Sequence, residues 1–142
     1  FKLYKSGYEV FKKNQIFGVG NKNYRIETCE KKINEKLKPE NYICSTHPHQ
    51  IYFEFLSEHG LVGTLILLSL FFYLIFKNLK KIILSQNYLQ IGSFVYLLSV
   101  FLPLLPSGSF FSDFNITFFT INLSFLYAVN EKTNIFFVGK NN

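Results

Sequence analysis

The stretch His47-Pro48-His49-Gln50-Ile51-Tyr52-Phe53-Glu54-Phe55-Leu56-Ser57-Glu58-His59-Gly60-Leu61-Val62-Gly63 runs straight into residues 64–76, none of which is charged. A helix needs roughly 20 apolar residues to cross the hydrocarbon core of a bilayer. Residues 61–76 supply sixteen, so residues 52–60 are expected to add outer turns at headgroup level. Ser45 or Thr46 can cap such a helix, and Pro48 suits its first turn, where a missing N–H costs little. The reading is one uninterrupted helix from about residue 48 to residue 76.

On that helix His49, Phe53, Leu56, Gly60, Gly63 and Leu67 share a stripe, because their steps are four, three, four, three and four. Gly60 and Gly63 then lie below His49, and small residues there let a neighbouring helix approach and fix the direction of the imidazole. The positive end of the helix disfavours His⁺ and keeps the ring able to take a proton. His49 is therefore a candidate general base at a water interface. His47 reads more readily as a polar cap or headgroup anchor.

Two further apolar segments follow, at residues 84–105 and 110–129. The expected fold class is an all-α membrane protein with about three transmembrane helices (52–76, 84–105 and 110–129). An N-terminal extramembrane region with short helices, residues 1–46, precedes them. The alternative is a soluble helical protein with these segments in its core, although three such runs exceed what one small core uses. Asp113, at the edge of the third segment, is a candidate for pairing with Arg25, meeting an acceptor or capping its helix. Asn115 and Asn122, seven apart, suit interhelical hydrogen bonds.

Among the 142 residues, 49% are hydrophobic and 18 are Phe, while Met is absent. The missing Met reads as a fragment, the C-terminal part of a longer protein. The formal charge of +6 sits mainly in residues 1–46, with ten Lys and Arg against five Glu, a net of +5. Beside membrane helices such a region suits anionic headgroups or diphosphates, and no basic helix or aromatic signature points to nucleic acid.

Arg25 is the one arginine among fifteen cations. It marks either a place that needs a planar bidentate donor or an ordinary surface charge. Gly18 and Gly20 make a turn that permits close backbone approach, and residues 22–38 suit a short surface helix ended by Pro39. Cys29 and Cys44 are either a disulfide or two free thiols, and their spacing does not suit zinc. No metal or cofactor is expected. Lys77, Lys80 and Lys81 place the connection after the first span inside and residues 1–46 outside, while the ten cations of residues 1–46 pull the other way. The outside placement is favoured because longer loops obey the charge rule less strictly.

His49-Gln50, nine residues, Gly60, two residues and Gly63 resembles the histidine motif of the O-antigen ligase family. Ile16-Phe17-Gly18-Val19-Gly20 followed by Tyr24-Arg25 resembles the segment opening that family's large periplasmic loop. Ser107-Gly108-Ser109-Phe110-Phe111 resembles a turn between its last helices. The resemblance implies a multi-pass glycosyltransferase of the bacterial inner membrane that works in lipopolysaccharide biosynthesis. It would move a glycan from an undecaprenyl diphosphate carrier to a hydroxyl of lipid A core or another acceptor, with residues 1–46 and the histidine motif on the periplasmic side.

Carried over by position, His49 is the base and Arg25 a contact to the donor diphosphate. Gln50, His47 and Asp113 join as substrate-binding candidates, with Lys22, Lys31 and Lys32 as helpers, and Gly60 and Gly63 complete the structural motif. An O-antigen polymerase and a protein O-oligosaccharyltransferase share these features. A membrane transporter or non-enzymatic membrane protein is the alternative of another class, although the apolar stretches hold no Lys, Arg, Asp or Glu for an ion relay.

Overall fold

The computed structural model describes residues 2–30, 42–103, 105–131 and 133–134. Residues 31–38 of the helix expected over 22–38, with Lys31, Lys32 and Pro39, lie outside the described residues. Among those described there are five α-helices and no strand: α1 (Lys2–Lys13), α2 (Ile51–Phe76), α3 (Leu79–Ser85), α4 (Tyr88–Val100) and α5 (Asp113–Ala128). A π-type turn, Ile26–Glu30, lies between α1 and α2. The expected all-helical class holds. One stretch, Ile51–Ser85, is long and apolar enough to cross a membrane.

Three expectations about the helices need correction. The first helix begins at Ile51 rather than Pro48, and it is broken at Gly60, whose φ of 64° is not helical. The segment 84–105 is divided, because Gln86 turns left-handed after α3 and Asn87 starts α4, which stops at Val100. With 13 residues in α4 and 16 in α5, both fall short of the roughly 20 that a perpendicular crossing takes.

The chain divides into two compact units. The first comprises Phe1–Ser69 and Pro103–Asn115. Its inner cluster joins Val10 of α1 to Tyr24 and Tyr42, with Val19 against them. The Tyr24 hydroxyl donates to Ser6 Oγ at 2.8 Å, and the Ile43 N–H reaches the same oxygen at 3.1 Å. Cys29 and Cys44 form a disulfide, which settles the two alternatives that their spacing left open. It ties the π-type turn to the segment leading into His47.

The second unit comprises Leu70–Leu102 and Ile116–Asn142. It is built largely on aromatic pairs, with Phe71 at 5.1 Å from Phe119 and Phe72 at 5.2 Å from Phe101, centroid to centroid. Gln90, fully buried, donates to the Leu126 carbonyl at 2.7 Å and to Thr133 Oγ1 at 2.9 Å. Asn122 does not bridge helices as expected. It donates to Phe118 of its own helix, the local backbone bond that a short amide readily makes.

Candidate active site

Glycine decides the local geometry. Gly60 and Gly18 both have positive φ, and a Cβ on either would run into the backbone of the other's strand of chain. Where α2 is broken, the loop at residues 15–20 takes over the unpaired helix ends. The carbonyls of Ser57 and Glu58 accept the N–H groups of Val19 and Gly20, at 2.9 and 2.8 Å. The N–H groups of Leu61 and Val62 donate to the carbonyls of Gln15 and Ile16, at 2.8 and 3.2 Å. Orphaned helix-end groups thus find partners in a loop remote in sequence.

The glycines therefore serve a different purpose from the one their spacing suggested. Gly60 receives a loop rather than a helix, and a Cβ on Gly63 would meet His59 of its own helix. The stripe running down from His49 also dissolves, because His49 lies before α2 with φ 57°. Gln50 is the N-cap: its Oε1 accepts the Phe53 N–H at 3.0 Å, and its side chain is 2% exposed. Ser45 and Thr46 turn instead to His47, at its carbonyl and its Nδ1.

Within the first unit, Lys22, Arg25, Thr46, His47, Glu58, Ser109, Ser112 and Asp113 line one polar cavity of about 440 Å³. Arg25, His47 and Asp113, candidates from three distant parts of the sequence, are thus brought together. Among the described residues no ion pair joins Arg25 to Asp113. Ser112 rather than Asp113 caps α5, accepting the Asn115 N–H at 3.3 Å, and Asn115 donates to the Ser109 carbonyl at 2.7 Å rather than across helices.

His49 lies elsewhere. It lines a second, more open cavity of about 610 Å³ with Lys2, Leu3, Tyr4, Ile43 and Pro106. The two imidazoles nonetheless stand side by side, 4.1 Å between centroids. The histidine pair thus stands between a polar cavity, lined by two cations and two carboxylates, and a more apolar one. Burial pushes the His47 ring below its ordinary value, proximity to His49 pushes the same way, and the Ser107 carbonyl opposes them. The neutral form of His47 is thereby favoured.

Two glutamates, neither picked out as a site residue from the sequence, hold the walls. Glu54, 1% exposed, accepts Ser109 Oγ at 2.5 Å and the Phe110 N–H at 2.9 and 3.1 Å. Glu58, 2% exposed, accepts the Lys22 N–H at 3.0 Å. A signal was present in the sequence: two acids four residues apart, inside an otherwise apolar helix, need buried partners. Ser109 and Ser112, also missed, belong to a loop whose composition announces only a turn. Among the described residues no group of three or more His, Cys, Asp or Glu is placed to hold a metal ion.

A broken helix, a threaded loop and a pair of histidines beside a polar cavity that holds two cations and two carboxylates define a helical protein with a candidate site for a polar substrate. Residues 1–68, a little under half of the chain, match the family model of the O-antigen ligases (Wzy_C). The family's proteins are membrane glycosyltransferases of the O-antigen ligase and polymerase type. The match takes in Gly18, Arg25, His47, His49, Gly60 and Gly63, while the wall at Ser109, Ser112 and Asp113 lies beyond it. No curated protein and no solved structure matches the chain.

Proposed function

We propose that the chain belongs to a membrane glycosyltransferase that moves a glycan from undecaprenyl diphosphate to an acceptor hydroxyl. The observation that carries this reading is the histidine pair, with Arg25 and Lys22 on one side and the more open cavity on the other. The donor diphosphate occupies the cavity that holds Arg25 and Lys22, and the acceptor sugar approaches from the His49 side. His49 takes the acceptor hydroxyl proton as the oxygen bonds to the anomeric carbon, and the bond from that carbon to the diphosphate breaks. Arg25 stabilises the charge gathering on the diphosphate oxygens, where a planar fork matches two of them. His47, favoured in its neutral form, spares His49 a cationic neighbour, and Gln50 fixes the chain that presents it.

Residues 1–46 then form a periplasmic loop region, and residues 47–142 the membrane region, in which Ile51–Ser85 is the stretch long and apolar enough to span. The Cys29–Cys44 disulfide supports this orientation, because such bonds persist in oxidising compartments. Lipid A core, a growing glycan and a protein hydroxyl are the acceptors that separate ligase, polymerase and oligosaccharyltransferase.

The test is transfer of a lipid-linked glycan by the longer protein in membranes, offered each acceptor in turn. His49→Ala and Arg25→Ala should each lose on the order of 10²-fold or more in rate while inserting normally. Full activity of the His49 variant would remove the base, and glycan-independent solute flux would point to a transporter.

A further inference from the structure

Glu58 occupies an unusual position for a carboxylate. It sits one turn after Glu54 and two residues before the break in α2, is 2% exposed, and lines the cavity that holds Arg25. A carboxylate in a cavity meant for a diphosphate repels its ligand unless its charge is already engaged. Here it is engaged by backbone. The Glu58 side chain accepts the Lys22 N–H at 3.0 Å, with the Tyr24 N–H also turned toward it, while its main-chain carbonyl accepts the Gly20 N–H at 2.8 Å.

These contacts hold the residues immediately before Arg25. Lys22 adopts φ 61°, a conformation that non-glycine residues avoid and that persists only where the surroundings enforce it. With Tyr24 anchored on Ser6, Arg25 leaves a backbone fixed from two sides, by α1 and by Glu58. Glu54 stands in the same relation to the Ser109–Phe110 wall.

Resting on the functional reading above, we infer that Glu58 is the positioning residue for Arg25, clamping the turn at residues 20–24 so that the guanidinium stands in the donor cavity before substrate arrives. Its contribution is preorganisation, the loss of which is felt in the steps that use Arg25, donor binding and departure of the diphosphate.

Glu58→Gln in the longer protein keeps the size of the side chain and one acceptor oxygen but removes the charge. The expected result is a fall of about tenfold in kcat/KM for the lipid diphosphate donor. In an Arg25→Ala background the same change should add nothing, since the residue it positions is gone. An unchanged kcat/KM, or effects that multiply in the double variant, would overturn the inference.

Hydrogen exchange over residues 19–25 decides the matter independently of activity. Glu58→Gln should exchange this segment at least about tenfold faster while residues 64–76 stay protected. Unchanged exchange would sink the clamp. If Arg25→Ala transfers normally, the functional reading fails and the exchange result still judges Glu58. If the Gln variant does not accumulate with its disulfide formed, Glu58→Asp, which keeps the charge on a shorter arm, takes its place with the same outcomes.

Discussion

The apolar half of the chain is interrupted twice, and the two interruptions are closed in opposite ways. At residues 85–88 the repair is local: Gln86 turns left-handed, Asn87 Oδ1 accepts the Gln90 N–H at 3.2 Å, and Ser85 Oγ accepts the Asn87 N–H at 3.3 Å. At Gly60 it is remote, since four main-chain bonds come from residues 15–20. A locally capped joint is a corner and nothing more. A joint closed by a distant loop brings that loop, and with it Arg25, against the helix that carries Glu54 and Glu58.

The sharpest way to break this comparison is Gly60→Ala. A methyl group at φ 64° meets the backbone of Ile16, so the conformational strain of about 1–3 kcal/mol adds to a collision. We expect loss of the folded first unit and of glycan transfer, read as yield after thermal challenge and as activity. Gly92→Ala is the control, since nothing stands within 4 Å of its added Cβ inside α4. That change should leave stability equal or raise it by up to about 1 kcal/mol.

Next in size is Gln90→Ala, which leaves the Leu126 carbonyl and Thr133 without their buried donor. A cost of about 1–3 kcal/mol is expected, with transfer intact in the protein that remains folded. Asn87→Ala, which removes the cap of the locally closed joint, should cost about 1 kcal/mol and leave KM for the donor unchanged. A donor KM that moved with Asn87 would show that the two interruptions are not the separate devices described here.

The smallest effect concerns His47. Its folded-state value is lowered by burial, so below the ordinary range the unfolded chain binds more protons and stability rises with pH. Stability should therefore decline as pH falls through the ordinary histidine range near 6.5. His47→Gln should flatten that slope in a denaturation series measured between neutral and mildly acid pH.

Much of this architecture is legible in the residues. Uncharged runs announce helices, Arg25 stands out among lysines, and the histidine motif is visible before any coordinates. What is hidden has a common cause. The Gly18–Gly60 crossing is made of backbone, so no side-chain pattern encodes it, and both glycines read equally well as a turn and as a helix-packing notch. His49 fell on a tidy helical stripe only because the helix was extended three residues too far, to Pro48. The joint at Ser85-Gln86-Asn87 was within reach, as three polar residues with a good N-cap last, but the uncharged run masked it. Ser109 and Ser112 enter the cavity because Glu54 holds their loop, a buried contact across more than fifty positions.

The threading of the loop through the helix break also orders biogenesis. Residues 15–20 are synthesised before Gly60, so the partners that seal the interruption already exist when the apolar residues 61–76 emerge. A chain assembled in the reverse order, as by circular permutation, would deliver this hydrophobic segment with two bare main-chain donors at its leading end and nothing yet made to receive them.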